Sequence, residues 1–266
     1  MSPIERALRA LSPAALARHL AEQRWFGARG EAITSARLLA VAPMPDTTEP
    51  AALTRVHVCF ANGTATDYQL PLAAPADAPD GLHDAMQRPG FRRQLARAFA
   101  RGAEIPTHDG ETAWIFEPLT NLDELEALPS RPGGAEQSNT SIVYGQRAIL
   151  KIYRRIEPGP HPEVEICRFL TTRTTFRGTP PLLGVLHLRS PAGTAVAGML
   201  QAFVSHAVDG WQHVLASLRD STGRCDDRGT LGAELEALGR LTAELHAALA
   251  SDPADPDFAP KPTQDA

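Results

Sequence analysis

The chain has 266 residues, 43% of them hydrophobic and 21% charged, which excludes a fibrous protein or a disordered acidic tail and fits one large domain or two modest ones of roughly 150 residues. Its formal charge of −5, from 26 basic and 31 acidic residues without long like-charge runs, excludes the footprint of a nucleic-acid binder or of a binder of anionic membranes. No apolar stretch approaches the ~18 residues of a membrane span and no basic-then-apolar leader opens the chain, so the expected address is the cytoplasm.

Ser2-Pro3-Ile4-Glu5 predicts a helix start, with serine as N-cap, proline at the first helical position and glutamate closing a capping box. Ser12-Pro13 repeats the signal, and a second helix is expected through Leu16 and Leu20 to about Gln23, before the turn Arg24-Trp25-Phe26-Gly27-Ala28-Arg29-Gly30. From Ile33 to Leu72 the pattern predicts an antiparallel sheet: strands at Ala36 to Val41, Thr54 to Phe60 and Thr66 to Leu70, with Asn62-Gly63 as a hairpin turn. Asp80 to Ala103 reads as a helix with Phe91, Leu95 and Phe99 on one side and arginines on the other. Cys59, Cys167 and Cys225 are far apart and form no Cys-x-x-Cys pair, so they read as reduced thiols.

Ala113 to Leu119 reads as a strand, Asn121 to Leu128 as a short capped helix, and Pro129 to Gly134 as a loop. Two apolar runs follow, Thr140 to Tyr144 and Arg147 to Tyr153, separated by Gly145-Gln146. In a two-residue hairpin Tyr144 faces Arg147, which puts Thr140 opposite Lys151 and Ile142 opposite Ile149. Only two of the 26 basic residues are lysines, Lys151 and Lys261, and Lys151 sits in an apolar strand where a charge costs desolvation unless paired. The glycines, hydroxyls and amide of the stretch from Gly133 to Ser141 suit an oxyanion. A phosphate-binding hairpin is one reading; turn chemistry beside a snorkelling edge lysine is the other.

Pro162 then opens a helix bearing Glu163, Glu165 and Arg168 opposite Val164, Cys167 and Leu170, and a strand lysine followed by a helix glutamate is how kinase-like sites hold a phosphate-contacting lysine. His161, Glu163 and Glu165 alternate at a helix start and so share no face, which argues against a metal site. Pro180 to Leu186 and Gly198 to Val204 read as two more strands, the second leading into a linker able to offer an adenine backbone donors and acceptors. Helices are expected from Trp211 to Leu218 and Thr230 to Ala250, then an aperiodic Pro-rich tail.

Arg24-Trp25-Phe26-Gly27-Ala28-Arg29-Gly30 resembles the N-terminal signature of bacterial maltokinases. Glu136-Gln137-Ser138-Asn139-Thr140-Ser141 and Ile149-Leu150-Lys151-Ile152-Tyr153-Arg154-Arg155 resemble their phosphate loop and lysine strand, and Pro162 to Leu170 is similar to the helix bearing the lysine-pairing glutamate. Pro180-Pro181-Leu182-Leu183-Gly184, Asp209-Gly210-Trp211 and Leu238 to His246 also fit the family's later segments. The resemblance implies an α+β fold: an N-terminal cap of helices plus antiparallel sheet (1–103), a kinase-like N-lobe sheet with one helix (104–204), and the first helices of a truncated C-lobe (205–266). It implies phosphorylation of maltose on its anomeric hydroxyl by Mg2+-ATP, often beside trehalose synthase. Ser138, Asn139, Thr140 and Ser141 would line the phosphate loop, Lys151 would contact the ATP phosphates and Glu165 would pair with it. Gln201, Phe203 and Val204 would form the adenine-side linker, with Ala202 where the family usually has glutamate.

No His-x-Asp loop with a downstream amide and no Asp-Phe-Gly-like segment occurs before Ala266, so no catalytic or metal-ligating residue is assigned and the chain alone is expected not to turn over. The alternatives are a non-catalytic module that docks a partner such as trehalose synthase, and another small-molecule phosphotransferase, for which the Arg24-Trp25-Phe26-Gly27 cap has no evident use.

Overall fold

The computed structural model describes residues 1–27, 30–45, 50–73, 82–134, 139–220 and 227–260. Two short helices, α1 (Pro3–Arg9) and α2 (Pro13–Glu22), open the chain. Ser2 Oγ accepts the Glu5 N–H at 3.2 Å and Ser12 Oγ the Ala15 N–H at 3.1 Å, satisfying donors that a helix start leaves free. The expected capping box gives way to an ion pair: Arg9 Nε donates to the buried Glu5 carboxylate at 3.1 Å.

The first sheet is antiparallel, with β1 (Ile33–Pro43), β2 (Ala51–Phe60) and β3 (Ala65–Ala73) in order. Period-two alternation buries both faces. Val41, Ala52, Val56, Leu70 and Leu72 face a core shared with Leu8, Leu16, Leu20, Trp25 and Phe26. Ala40, Ala42, Leu53 and Ala73 face a second core shared with α3 (Pro89–Arg101) and the second sheet.

Short β4 (His83–Asp84) pairs with the end of β3. The helix expected from Asp80 begins only at Pro89, because the residue before a proline is driven to extended backbone, as Arg88 is at φ −91°, ψ 124°. Phe91, Leu95 and Phe99 are buried along α3. Arg92, expected on the solvent side, is buried too, its guanidinium bonded to Met86 O at 3.0 Å, Ser130 Oγ at 3.1 Å and Ser130 O at 3.2 Å.

The second sheet comprises β5 (Glu104–Pro106), β6 (Ala113–Pro118), β7 (Ser130–Pro132), β8 (Asn139–Tyr144), β9 (Ala148–Tyr153), and, after β10 (Arg155–Ile156) and α4 (Pro162–Arg173), β11 (Leu182–Ser190) and β12 (Gly193–Ala202). Its order is β5-β6-β11-β12-β9-β8-β7, antiparallel throughout. The short helix expected from Asn121 is a single 3-10 turn, Leu125–Ala127. Directly after β9, the two-residue β10 crosses to the first sheet and pairs with β3. The Gln69 side chain of β3 ties the sheets together: its amide oxygen accepts Trp114 Nε1–H at 2.6 Å, and its amide nitrogen donates to the backbone oxygens of Ala197 at 2.9 Å and Tyr153 at 3.3 Å.

Two compact units result: Met1–Val164 with Leu182–Phe203, and Glu165–Pro181 with Val204–Ala266. Residues 1–103 and the strands after them therefore lie in one unit. In the second unit, α5 (Gly210–Asp220) and α6 (Asp227–Leu249) are joined by His213 Nε2 and Glu234 Oε2 at 2.8 Å, and Phe169 stacks on Phe258 of the Pro-rich tail at 3.9 Å.

Candidate functional site

The β8–β9 hairpin is offset by one residue from the sequence expectation. Tyr144 pairs with Ala148, so the loop holds Gly145, Gln146 and Arg147, with Gly145 in the left-handed region at φ +53°. A one-residue change of register moves side chains to the opposite face. Ser141, not Thr140, therefore stands opposite Lys151, and Asn139 stands opposite Tyr153. Thr140 points the other way, its hydroxyl accepting Arg154 Nε–H at 2.9 Å. Gly133 N–H donates to Ser141 O at 2.7 Å, and a Cβ at Gly133 would lie 2.8 Å from Ser141 Cβ, so the entering loop lies too close for a side chain. Ser138 lies outside the described residues.

Lys151 is one-quarter exposed, and its Nζ meets both oxygens of Glu163, at 2.9 and 3.0 Å. The ion pair expected of Glu165 is thus made by Glu163, in the first turn of α4. Residues two apart on a helix point about 200° apart, and the start at Pro162 sets the phase that turns Glu163 to the strand. Tyr153 completes the group: its hydroxyl donates to Glu163 Oε2 at 2.9 Å and lies 3.0 Å from Met199 Sδ, and its ring stacks on His161 with centroids 4.0 Å apart. Burial pushes the His161 imidazole below its ordinary value, with Glu163 pulling the other way. Asn139, Tyr153, His161, Glu163 and Val196 line a cavity of about 350 Å³ here.

Gln201, next to last in β12, pairs with Leu182 and Ile149; Phe203 N–H donates to Arg147 O at 3.2 Å; Val204 is half exposed. Gln201 and Phe203 thus continue the strand beside the Lys151 hairpin. Nothing in their local sequence marked Glu163 or Tyr153 as partners of Lys151; the cue that existed was Pro162, which sets the helix phase.

The Arg24 to Gly30 segment does structural work as far as it is described, residues 28 and 29 lying outside. Trp25 and Phe26 pack against Tyr68 and Phe60, and the Arg154 guanidinium sits 4.6 Å from the Trp25 ring centroid. Arg154 is 1% exposed and ion-paired with Asp84; burial lowers its pKa and the Asp84 carboxylate opposes that.

An ammonium has three N–H donors, and the Glu163 carboxylate engages two of its directions. Lys151 can therefore still meet an anion from its exposed side, which fits the phosphates of a nucleotide. Among the described residues no group of three or more His, Cys, Asp or Glu side chains is placed to hold a metal ion.

Residues 19–89 match the maltokinase N-terminal cap domain. A glucosamine kinase from Mycolicibacterium smegmatis is 32% identical over 130 residues, covering 47% of this chain and 31% of the relative. Another from Streptacidiphilus jiangxiensis is 28% identical over 193 residues, covering 70% of this chain and 41% of the relative. A solved glucosamine kinase superposes with a TM-score of 0.61 at 23% identity over 92% of this chain and 51% of its own. The structure of glucosamine kinase with glucosamine, ADP and inorganic phosphate gives 0.60 at 23% identity, over 94% and 53%. The chain thus spans less than half the length of these curated relatives. It carries a maltokinase N-terminal cap domain within the kinase-like fold of the solved glucosamine kinases.

Proposed function

We propose that the chain is the cap and nucleotide-phosphate lobe of an ATP-dependent sugar kinase. The carrying observation is Lys151, held on β9 by Glu163 of α4 and backed by Tyr153. In phosphoryl transfer the protein's work is positioning and charge stabilisation. Lys151 would neutralise charge on the ATP phosphates, Glu163 would keep its ammonium from swinging to solvent, and the Tyr153 hydroxyl would fix the Glu163 carboxylate. Ser138, Asn139 and Ser141 would donate along the phosphate loop, with Thr140 anchoring Arg154 behind it; Gln201, Phe203 and Val204 would border the adenine. Glu165 keeps no assigned role toward Lys151. Mg2+ would arrive with the nucleotide and neutralise its phosphates.

The γ-phosphoryl group would pass to a sugar hydroxyl oxygen, that hydroxyl's proton going to a base and ADP leaving. We assign no base within the described residues, so binding without turnover is the expected behaviour of this chain. The two glucosamine kinases among the relatives support an amino sugar as acceptor. The cap match supports a second reading, maltose as acceptor; trehalose synthase as partner rests on the sequence resemblance alone.

Titration with a fluorescent ADP analogue tests the proposal. Saturable binding is expected, weakened about tenfold or more (~1.4 kcal/mol) in Lys151→Ala. Binding that is absent, or equal in Lys151→Ala, refutes it.

A further inference from the structure

The Arg24 to Gly30 segment borders a cavity of about 650 Å³ whose walls include Trp25, Glu31, Phe60, Thr66, Tyr68 and Arg155. That is the size of a small-molecule site, and aromatic walls with a few polar groups are typical of one. Trp25 is 7% exposed, and its indole N–H is buried with no acceptor among the described residues. Leaving such a donor unpaired is costly, and a bound acceptor would relieve it.

The polar groups differ in kind. Arg154, which also borders the cavity, is committed to Asp84 and Thr140. Arg155 is freer: its pair with Glu157 at 2.8 Å joins side chains 64% and 69% exposed. A surface pair of that kind contributes little, and a guanidinium can exchange it for two parallel bonds to a phosphate. Burial raises the Tyr68 phenol above its ordinary value, with Arg155 opposing, so the phenol stays neutral and keeps its O–H to donate. Ionised Glu31 only accepts, and Thr66 both donates and accepts, which suits the hydroxyl groups of a ligand. Trp25, Phe26, Phe60 and Tyr68 pack on one another with centroids 5.3 to 6.4 Å apart, and Phe60 and Tyr68 are each only 6% exposed. They leave edges rather than open faces, which disfavours stacking of a nucleobase and suits the C–H groups of an aliphatic ring.

We propose that this cavity binds a phosphorylated monosaccharide, with Arg155 and Tyr68 on the phosphate, Glu31 and Thr66 on the hydroxyls, and Trp25 donating its indole N–H to a ligand oxygen. The ligand class follows from these groups alone and does not depend on the sugar-kinase reading of Lys151.

The chain has three tryptophans, Trp25, Trp114 and Trp211. Each gives its own indole N–H resonance in a heteronuclear NMR spectrum of the full chain, and Trp25→Phe identifies the one from the cavity. Titration with glucose 6-phosphate is expected to shift the Trp25 resonance saturably in the millimolar range or below, with Trp114 and Trp211 unmoved. Inorganic phosphate and glucose, each lacking part of the ligand, should bind at least about tenfold more weakly. Arg155→Ala, at an exposed position, should weaken glucose 6-phosphate by about tenfold with circular dichroism unchanged. Arg155 also borders the cavity beside Lys151, so the titration is repeated in Lys151→Ala, where unchanged affinity is expected. A Trp25 resonance that does not move overturns the proposal. So does binding lost in Lys151→Ala, which would place the ligand at the nucleotide site. Phosphate or glucose binding as tightly as the sugar phosphate, or Arg155→Ala binding it equally well, overturns it too.

Discussion

Gln69 is fully buried and holds three partners from three strands of the second sheet. Gln69→Leu keeps roughly the volume and removes every polar atom. It strands the Trp114 indole N–H, itself 0% exposed, at about 1–3 kcal/mol for an unsatisfied buried donor. The short bond to Ala197 O adds about 0.5–1.5 kcal/mol; the longer one to Tyr153 O adds less. The expected loss is about 2–4 kcal/mol, a large fraction of the ~5–15 kcal/mol of a typical domain. Urea unfolding followed by circular dichroism reads it as a lower midpoint. Trp114→Phe in the Gln69→Leu background removes the stranded donor together with its missing acceptor, so the double variant should lose about 1–2 kcal/mol less than the sum of the single changes. A Gln69→Leu effect within about 0.5 kcal/mol of zero, or strict additivity with Trp114→Phe, would refute the claim that this amide holds the sheets together.

Further outcomes follow from particular contacts. A Cβ at Gly198 would lie 2.7 Å from the backbone oxygen of Lys151, whereas at Gly134 it would meet nothing within 4 Å. Gly198→Ala should therefore cost about 1–3 kcal/mol and weaken ADP-analogue binding by moving β9, while Gly134→Ala stays within about 0.5 kcal/mol; equal unfolding midpoints would contradict this. Burial holds His19 below its ordinary 6.5, with Asp84 the largest opposing influence. As pH falls, the unfolded chain takes up that proton first, so stability is fully present above about 6.5 and declines as pH drops toward the lower folded value. His161, shifted the same way, adds to the decline. The urea midpoint should fall between about pH 7 and 5 and fall less steeply in His19→Gln; identical slopes would remove His19 from the account.

Local signals read well from the sequence. Ser2 and Ser12 cap their helices because the side chain and the orphan N–H lie three residues apart. Phe91, Leu95 and Phe99 declare one helix face. What escaped depended on geometry set elsewhere. Gly-Gln looks like a complete two-residue turn, but Gly145 at φ +53° draws Arg147 into the loop and shifts the register. Glu163 and Glu165 are equivalent in composition, and only the start of the helix at Pro162 separates their directions. Arg92 and Arg154 carry the charge of surface residues, and their burial is sustained by Met86 and Thr140 and, from farther along the chain, by Ser130 and Asp84. Gln69 sits in an alternating strand whose inward polar residue finds its partners only after the second sheet has formed.

The lysine strand does not end where its sheet ends. Three residues after Lys151, Arg154 gives its carbonyl to the Gln69 N–H at 2.7 Å and its guanidinium to Asp84 and Trp25, and Arg155–Ile156 then extends the other sheet. The seam constrains how such a polypeptide can recombine. A crossover between relatives placed at residue 103 would separate Trp25, Gln69 and Asp84 from the strand they grip, so donor and recipient must agree at Arg154 before the exchanged piece can seat. Exchange of N-terminal regions is thereby restricted to lineages that share the same buried arginine and its partners, however different their exposed loops have become.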